Sequence, residues 1–124
     1  MTTLTAVPGK TDIRVGAADL LKTGGWIKGK YYSTNPKKAG VCLVAAISLA
    51  AGLPAVALAS LKPHSKDMGY LARWEMAQDL CFEIAATLGR PAHEMPPTRW
   101  LSYWNDKPHT TLDHVLGVLE GQAA

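Results

Sequence analysis

The sequence predicts an all-α fold, a compact single-domain bundle of about four main helices joined by short helical turns. Three observations predict it. Apolar residues recur at helical spacing in separate stretches, Gly and Pro punctuate the chain where those stretches stop, and alanine is abundant. At 124 residues the chain has the length of one domain. Its 48% apolar and 19% charged content is that of a globular protein rather than a disordered one.

The elements follow in order. Residues 1–11 are polar, carry Pro8-Gly9 and show no periodicity, so they read as a flexible N-terminal arm ahead of a helical domain over 12–124. Asp12 is placed to cap a first helix over 13–23, with Ile13, Ala17, Leu20 and Leu21 on one face. Gly24-Gly25 ends it. Residues 26–39 (WIKGKYYSTNPKKA) read as a loop with a minor extended segment at 30–33. A second helix, buried nearly all round, runs over 41–51 and stops at Gly52, and Pro54 opens a short helix over 54–61.

The longest helix spans 69–88, its apolar stripe formed by Leu71, Trp74, Ala77, Cys81, Ile84, Ala85 and Leu88. Gly89-Arg90-Pro91 stops it. After the Pro-rich connector 91–97, Thr98 caps a helical turn over 99–104 that puts Trp100 and Trp104 on one face. Thr110 and Asp113 then have the spacing of a capping box for a last helix over 111–120, with Leu112, Val115, Leu116 and Leu119 on its inner side. Trp74, Trp104 and the 41–61 hairpin are the expected centre of the core.

The stretch 41–61 contains 21 residues without a charge, long enough to cross a bilayer. Seven of them are Ala, and Gly52 and Pro54 break the middle, so a buried hairpin is the better reading. The N-terminus lacks the basic and apolar blocks of a signal peptide. Cys42 and Cys81 form no CxxC pair, which excludes a zinc ribbon and favours reduced thiols. Together these place the chain in the cytoplasm.

Three segments, ADLLKTGGWIKGKY (18–31), GVCLVAAISLA (40–50) and YWNDKPHTTLDHVLGVLEGQA (103–123), carry a resemblance. They resemble an uncharacterised family of small proteins from actinobacteria and their bacteriophages. That family shows a leading helix ending in Gly-Trp, a Cys-led apolar helix and a closing Trp-Asn-Asp, Pro, Thr pattern. The resemblance covers roughly residues 13–123, with two departures. His109 stands where relatives often carry Arg, and residues 68–97 have no strong counterpart. It implies the fold and a phage or actinobacterial source, and it implies no reaction.

Four groups are candidates for function. Trp104, Asn105 and Asp106, with His109 and the threonines after it, form either a structural turn or a partner site, since Asn and Asp side chains bond nearby backbone N–H groups. Cys42, at the start of an apolar helix, reads as a core residue. The catalytic alternative is a thiol acidified by the helix N-terminus, with His64, His93, His109 or His114 as base and Asn105 as orienter. His109 and His114 lack the spacing that puts two histidines on one helical face for zinc. Asp106, His109, Asp113 and His114 therefore read as solvated polar residues; no metal or cofactor is expected.

The fourth group is the loop 26–38, where Trp26, Tyr31 and Tyr32 stand among Lys28, Lys30, Lys37 and Lys38. It suits an ordinary surface loop, a protein contact rich in Trp and Tyr, or single-stranded nucleic acid held by stacking and cations. The net charge of +3 is modest for a dedicated nucleic-acid binder. No phosphate-binding glycine motif and no serine-hydrolase elbow occurs. The expectation is a non-enzymatic binding protein that, if phage-encoded, engages or inhibits a host protein. A nucleic-acid module using 26–38 is the alternative, and a Cys42-dependent hydrolase or transferase the second.

Overall fold

A computed structural model of the chain describes residues 7–35, 37 and 39–121. Five α-helices form among them: α1 (Lys10–Gly24), α2 (Leu43–Ala50), α3 (Met68–Thr87), α4 (Pro97–Asp106) and α5 (Leu112–Leu119), with a 3₁₀ turn at Ala57–Ala59. The fold is all-α, as the periodicity predicts. Most of the expected N-terminal arm and Lys38 lie outside the described residues.

α2 is the axis of the molecule. Leu43 to Ser48 are all inaccessible, and α1, α3, α4 and the 3₁₀ turn pack around them. Such an element reads as apolar all round because every face meets protein. Ile13 and Leu21 come from α1, Leu80 and Ile84 from α3, Leu101 from α4, Val115 and Leu119 from α5. Each fully buried Leu or Ile contributes about 1.5–3 kcal/mol relative to exposure. The centre is aliphatic: Trp74 and Trp104 are half-buried and pack against the core from its rim. Their polar indole N–H suits a rim position better than the centre.

Several boundaries differ from the sequence reading, each for a local reason. α1 begins at Lys10, and Asp12 serves as its third residue, where the carboxylate accepts from the Gly9 N–H at 3.3 Å. α2 starts two residues late because Val41 is paired with the neighbouring loop and Cys42 is the cap. The expected helix at 54–61 shrinks to the single 3₁₀ turn. There the Pro54 carbonyl takes both the Ser48 hydroxyl at 2.5 Å and the Ala57 N–H at 3.0 Å, which holds the chain in i→i+3 geometry.

The expected turn at 99–104 is a ten-residue helix, α4, with Pro97 in its first position and Thr98 buried inside rather than capping. In α5 the capping pair is Thr111 and His114, whose side chains each accept the other's backbone N–H at 3.2 Å. Thr110 instead donates its hydroxyl to the Trp104 carbonyl at 2.6 Å, clamping the end of α4.

Helix ends are also joined across the fold. Arg14 Nη1 donates to the Val118 carbonyl at 2.7 Å, covering the open C-terminus of α5, and Lys22 pairs with Glu120 at 2.8 Å beside it. Among the described residues no helix is long and apolar enough to cross a membrane, and the 41–61 stretch is the folded hairpin.

Candidate functional site

Asn105 organises the most distinctive region. The last turn of α4 buries it completely, and all four of its hydrogen-bonding positions are used. Oδ1 accepts from Trp26 Nε1 at 2.6 Å and from the Leu43 N–H at 3.1 Å. Nδ2 donates to the Ile27 carbonyl at 3.1 Å and to Asp106 Oδ1 at 3.0 Å. The residue thus supplies an acceptor to the first N–H of α2 and ties the start of the 26–35 loop to α4. The start of α5 is capped by Thr111, not by this residue.

Asp106 completes the attachment. Its Oδ1 accepts from the Gly29 N–H at 2.8 Å, while Lys28 Nζ donates to the Lys107 carbonyl at 2.6 Å. On the other side the loop pairs with residues 40–42. The Ile27 N–H donates to the Val41 carbonyl, and the Cys42 N–H to the Tyr31 carbonyl, both at 3.1 Å. The extended segment expected at 30–33 is realised as an antiparallel bridge between Tyr32 and Val41, with a parallel bridge from Trp26 to Val41.

Two openings flank this loop. A cavity of about 100 Å³ is lined by Gly29, Lys30, Tyr31, Cys42, Ser102 and Asp106. A cleft of about 450 Å³ is lined by Trp26, Ile27, Lys28, Lys30, Ser33 and Asn35. Lys30 borders both. The structure therefore brings Trp26, Lys28, Lys30, Tyr31, Asn105 and Asp106 together, with Tyr32 49% exposed on the same loop. Trp104 is half-buried on α4, and His109 is exposed on the turn beyond it, outside both linings. Ser102 was not singled out from the sequence; its i, i+4 spacing from Asp106 on α4 is the signal that could have found it.

Cys42 lies at the wall of the smaller cavity, only 3% exposed. Its Sγ accepts from the Ala45 N–H at 3.4 Å as the cap of α2. Burial pushes the thiol above its ordinary value, outweighing the downward pull of the Ala45 and Val44 N–H groups, and the Asp106 charge adds to the rise. No histidine is among the cavity's lining residues, and Asn105 has no bond left with which to orient one. His64, His93, His109 and His114 are all exposed. Native Cys42 is therefore expected to react with iodoacetamide at less than about a tenth of the rate of the urea-unfolded thiol at pH 7.5. Equal rates would refute a neutral, buried thiol.

Burial pushes Cys81, inside α3, up to about 12. Both thiols hold their protons more tightly folded than unfolded. Their contribution to stability is thus complete below about pH 8.5 and lost as pH rises through the folded-state values. Among the described residues no group of three or more His, Cys, Asp or Glu side chains is gathered as for a metal ion.

Fold and site together define a small all-α domain that anchors a lysine- and tyrosine-bearing loop beside two openings. The chain belongs to the family described as "Family of unknown function (DUF6197)", which matches residues 10–124. No curated protein and no solved structure matches the chain.

Proposed function

We propose that this protein is a non-enzymatic binding protein that docks a partner protein on the face formed by the 28–35 loop and the end of α4. In the phage setting implied by the resemblance, that partner is a host protein, which it engages or inhibits in the host cytoplasm. The observation that carries the reading is the anchoring of an exposed loop from behind. Asn105 and Asp106 hold its backbone, so Lys28, Lys30 and Tyr32 are displayed in a fixed arrangement. A pre-ordered loop loses less conformational entropy on binding than a loose one. The capped, proton-retaining state of Cys42 supports binding over thiol chemistry.

The test is a tagged pull-down from an actinobacterial lysate, with and without nuclease. Wild type is compared with Tyr32→Ala and with Phe82→Ala, which alters an exposed ring on α3. The expected result is one protein captured in stoichiometric amount, insensitive to nuclease, lost with Tyr32→Ala and kept with Phe82→Ala. Capture that disappears with nuclease would transfer the face to nucleic acid.

A further inference from the structure

We infer that the partner reaches this face with an acidic, extended segment whose carboxylates seat beside Lys28 and Lys30. The inference rests on reading the face as a protein-docking surface and adds the chemistry of what docks. Among the described residues the larger cleft is lined by two ammonium-bearing residues, Ser33, Asn35, Trp26 and Ile27, and by no acid. Asp106 belongs to the lining of the smaller cavity, and its Oδ1 is occupied by Gly29 and Asn105. Lys10 and Lys22 have acidic partners, Glu83 and Glu120. Among the described residues Lys28 and Lys30 form no such pair; the Lys28 ammonium meets a neutral carbonyl and sits 5.4 Å from the Trp26 ring centre. An incoming carboxylate supplies the missing charge.

The aromatics argue against a nucleic acid here. Continuous strand binding needs successive free ring faces. Trp26 is held by its indole N–H under the Lys28 ammonium, and Tyr31 lines the other cavity with its hydroxyl 3.5 Å from Ser102 Oγ. Of the loop's three rings, Tyr32 is the exposed one. The backbone favours an extended ligand. Tyr32 and Val41 form a non-hydrogen-bonded antiparallel pair, flanked by Ser33 N–H to Gly40 carbonyl and Cys42 N–H to Tyr31 carbonyl bonds. That geometry turns the N–H and C=O of Tyr32 to the outer edge, where an added strand can pair with them.

The experiment measures fluorescence anisotropy of three labelled probes with the full chain: a peptide of alternating Glu and Ser, its Lys-Ser counterpart, and oligothymidine. The Glu-Ser peptide should bind saturably and weaken as salt rises. Lys30→Glu should weaken it about tenfold or more and Lys30→Gln by less, whereas Lys66→Glu, the same charge change at an exposed residue outside both linings, should leave it within about twofold. Absence of saturable Glu-Ser binding, equal loss with Lys66→Glu, or tighter binding of oligothymidine would overturn the inference. If the peptide fails while a protein is still captured through Tyr32, the acidic chemistry falls and the docking surface stands. If capture also fails, the docking surface falls with it.

Discussion

Replacing Asn105 with alanine is expected to remove about 3–5 kcal/mol of stability, a large fraction of the roughly 5–15 kcal/mol that a domain holds in total. The truncation leaves three groups without partners: the Leu43 N–H, the Trp26 indole N–H and the Ile27 carbonyl. Each buried orphan costs about 1–3 kcal/mol, with part recovered where Trp26 rotates toward solvent. Urea unfolding should show a lower midpoint at nearly constant slope. Asn105→Asp refines the test. It keeps an acceptor for both N–H groups but loses the donor to Ile27, and it sets a second carboxylate beside Asp106. It should therefore be destabilised at neutral pH despite its near-identical shape. A loss under about 0.5 kcal/mol for Asn105→Ala, the level of an ordinary surface substitution, would mean that the amide does not hold the loop.

The contrast between Asn105 and the helices shows what could be read from the chain alone. Gly24-Gly25, Gly52 and Gly89 with Pro91 sit at real stops, because a positive φ or a missing N–H acts locally and leaves a local mark. Helix starts were less legible, since competing caps lie within one turn of each other. Asp12 favours a helix equally as cap or as third residue, and either Thr110 or Thr111 can accept from an N–H three residues on.

The turn Trp104-Asn105-Asp106 was visible as distinctive, but its meaning was not. Three of the four Asn105 partners lie 62, 78 and 79 positions away, beyond any local pattern. Cys42 illustrates the same limit. Its position at the head of α2 was legible, whereas the burial that keeps the thiol protonated depends on how α2 packs against its neighbours.

Gly25→Ala should cost about 2–4 kcal/mol, and the reason is a close passage of two backbones. Gly25 ends α1 at φ 99° and ψ 156°, a region open essentially to glycine alone, where any side chain is strained by about 1–3 kcal/mol. A Cβ there would also stand 2.8 Å from the Ala39 carbonyl oxygen and 3.5 Å from Gly40 Cα. Backbone atoms cannot swing aside as a flexible side chain can, so the segments must separate. Separation stretches the 3.1 Å bond from the Val41 N–H to the Gly25 carbonyl and shifts Trp26 away from Asn105.

Two neighbours serve as controls. Gly29 has φ 80° but nothing within 4 Å of its would-be Cβ, so Gly29→Ala should show the conformational cost alone, about 1 kcal/mol. Gly24 is helical with open space around it, so Gly24→Ala should stabilise by about 0.4–1 kcal/mol. Equal losses at Gly25 and Gly29 would assign the whole effect to φ. A larger loss at Gly25, with reduced partner capture by the surviving folded protein, would show that the passage between residues 25 and 40 sets the position of Trp26 and, through it, of the loop.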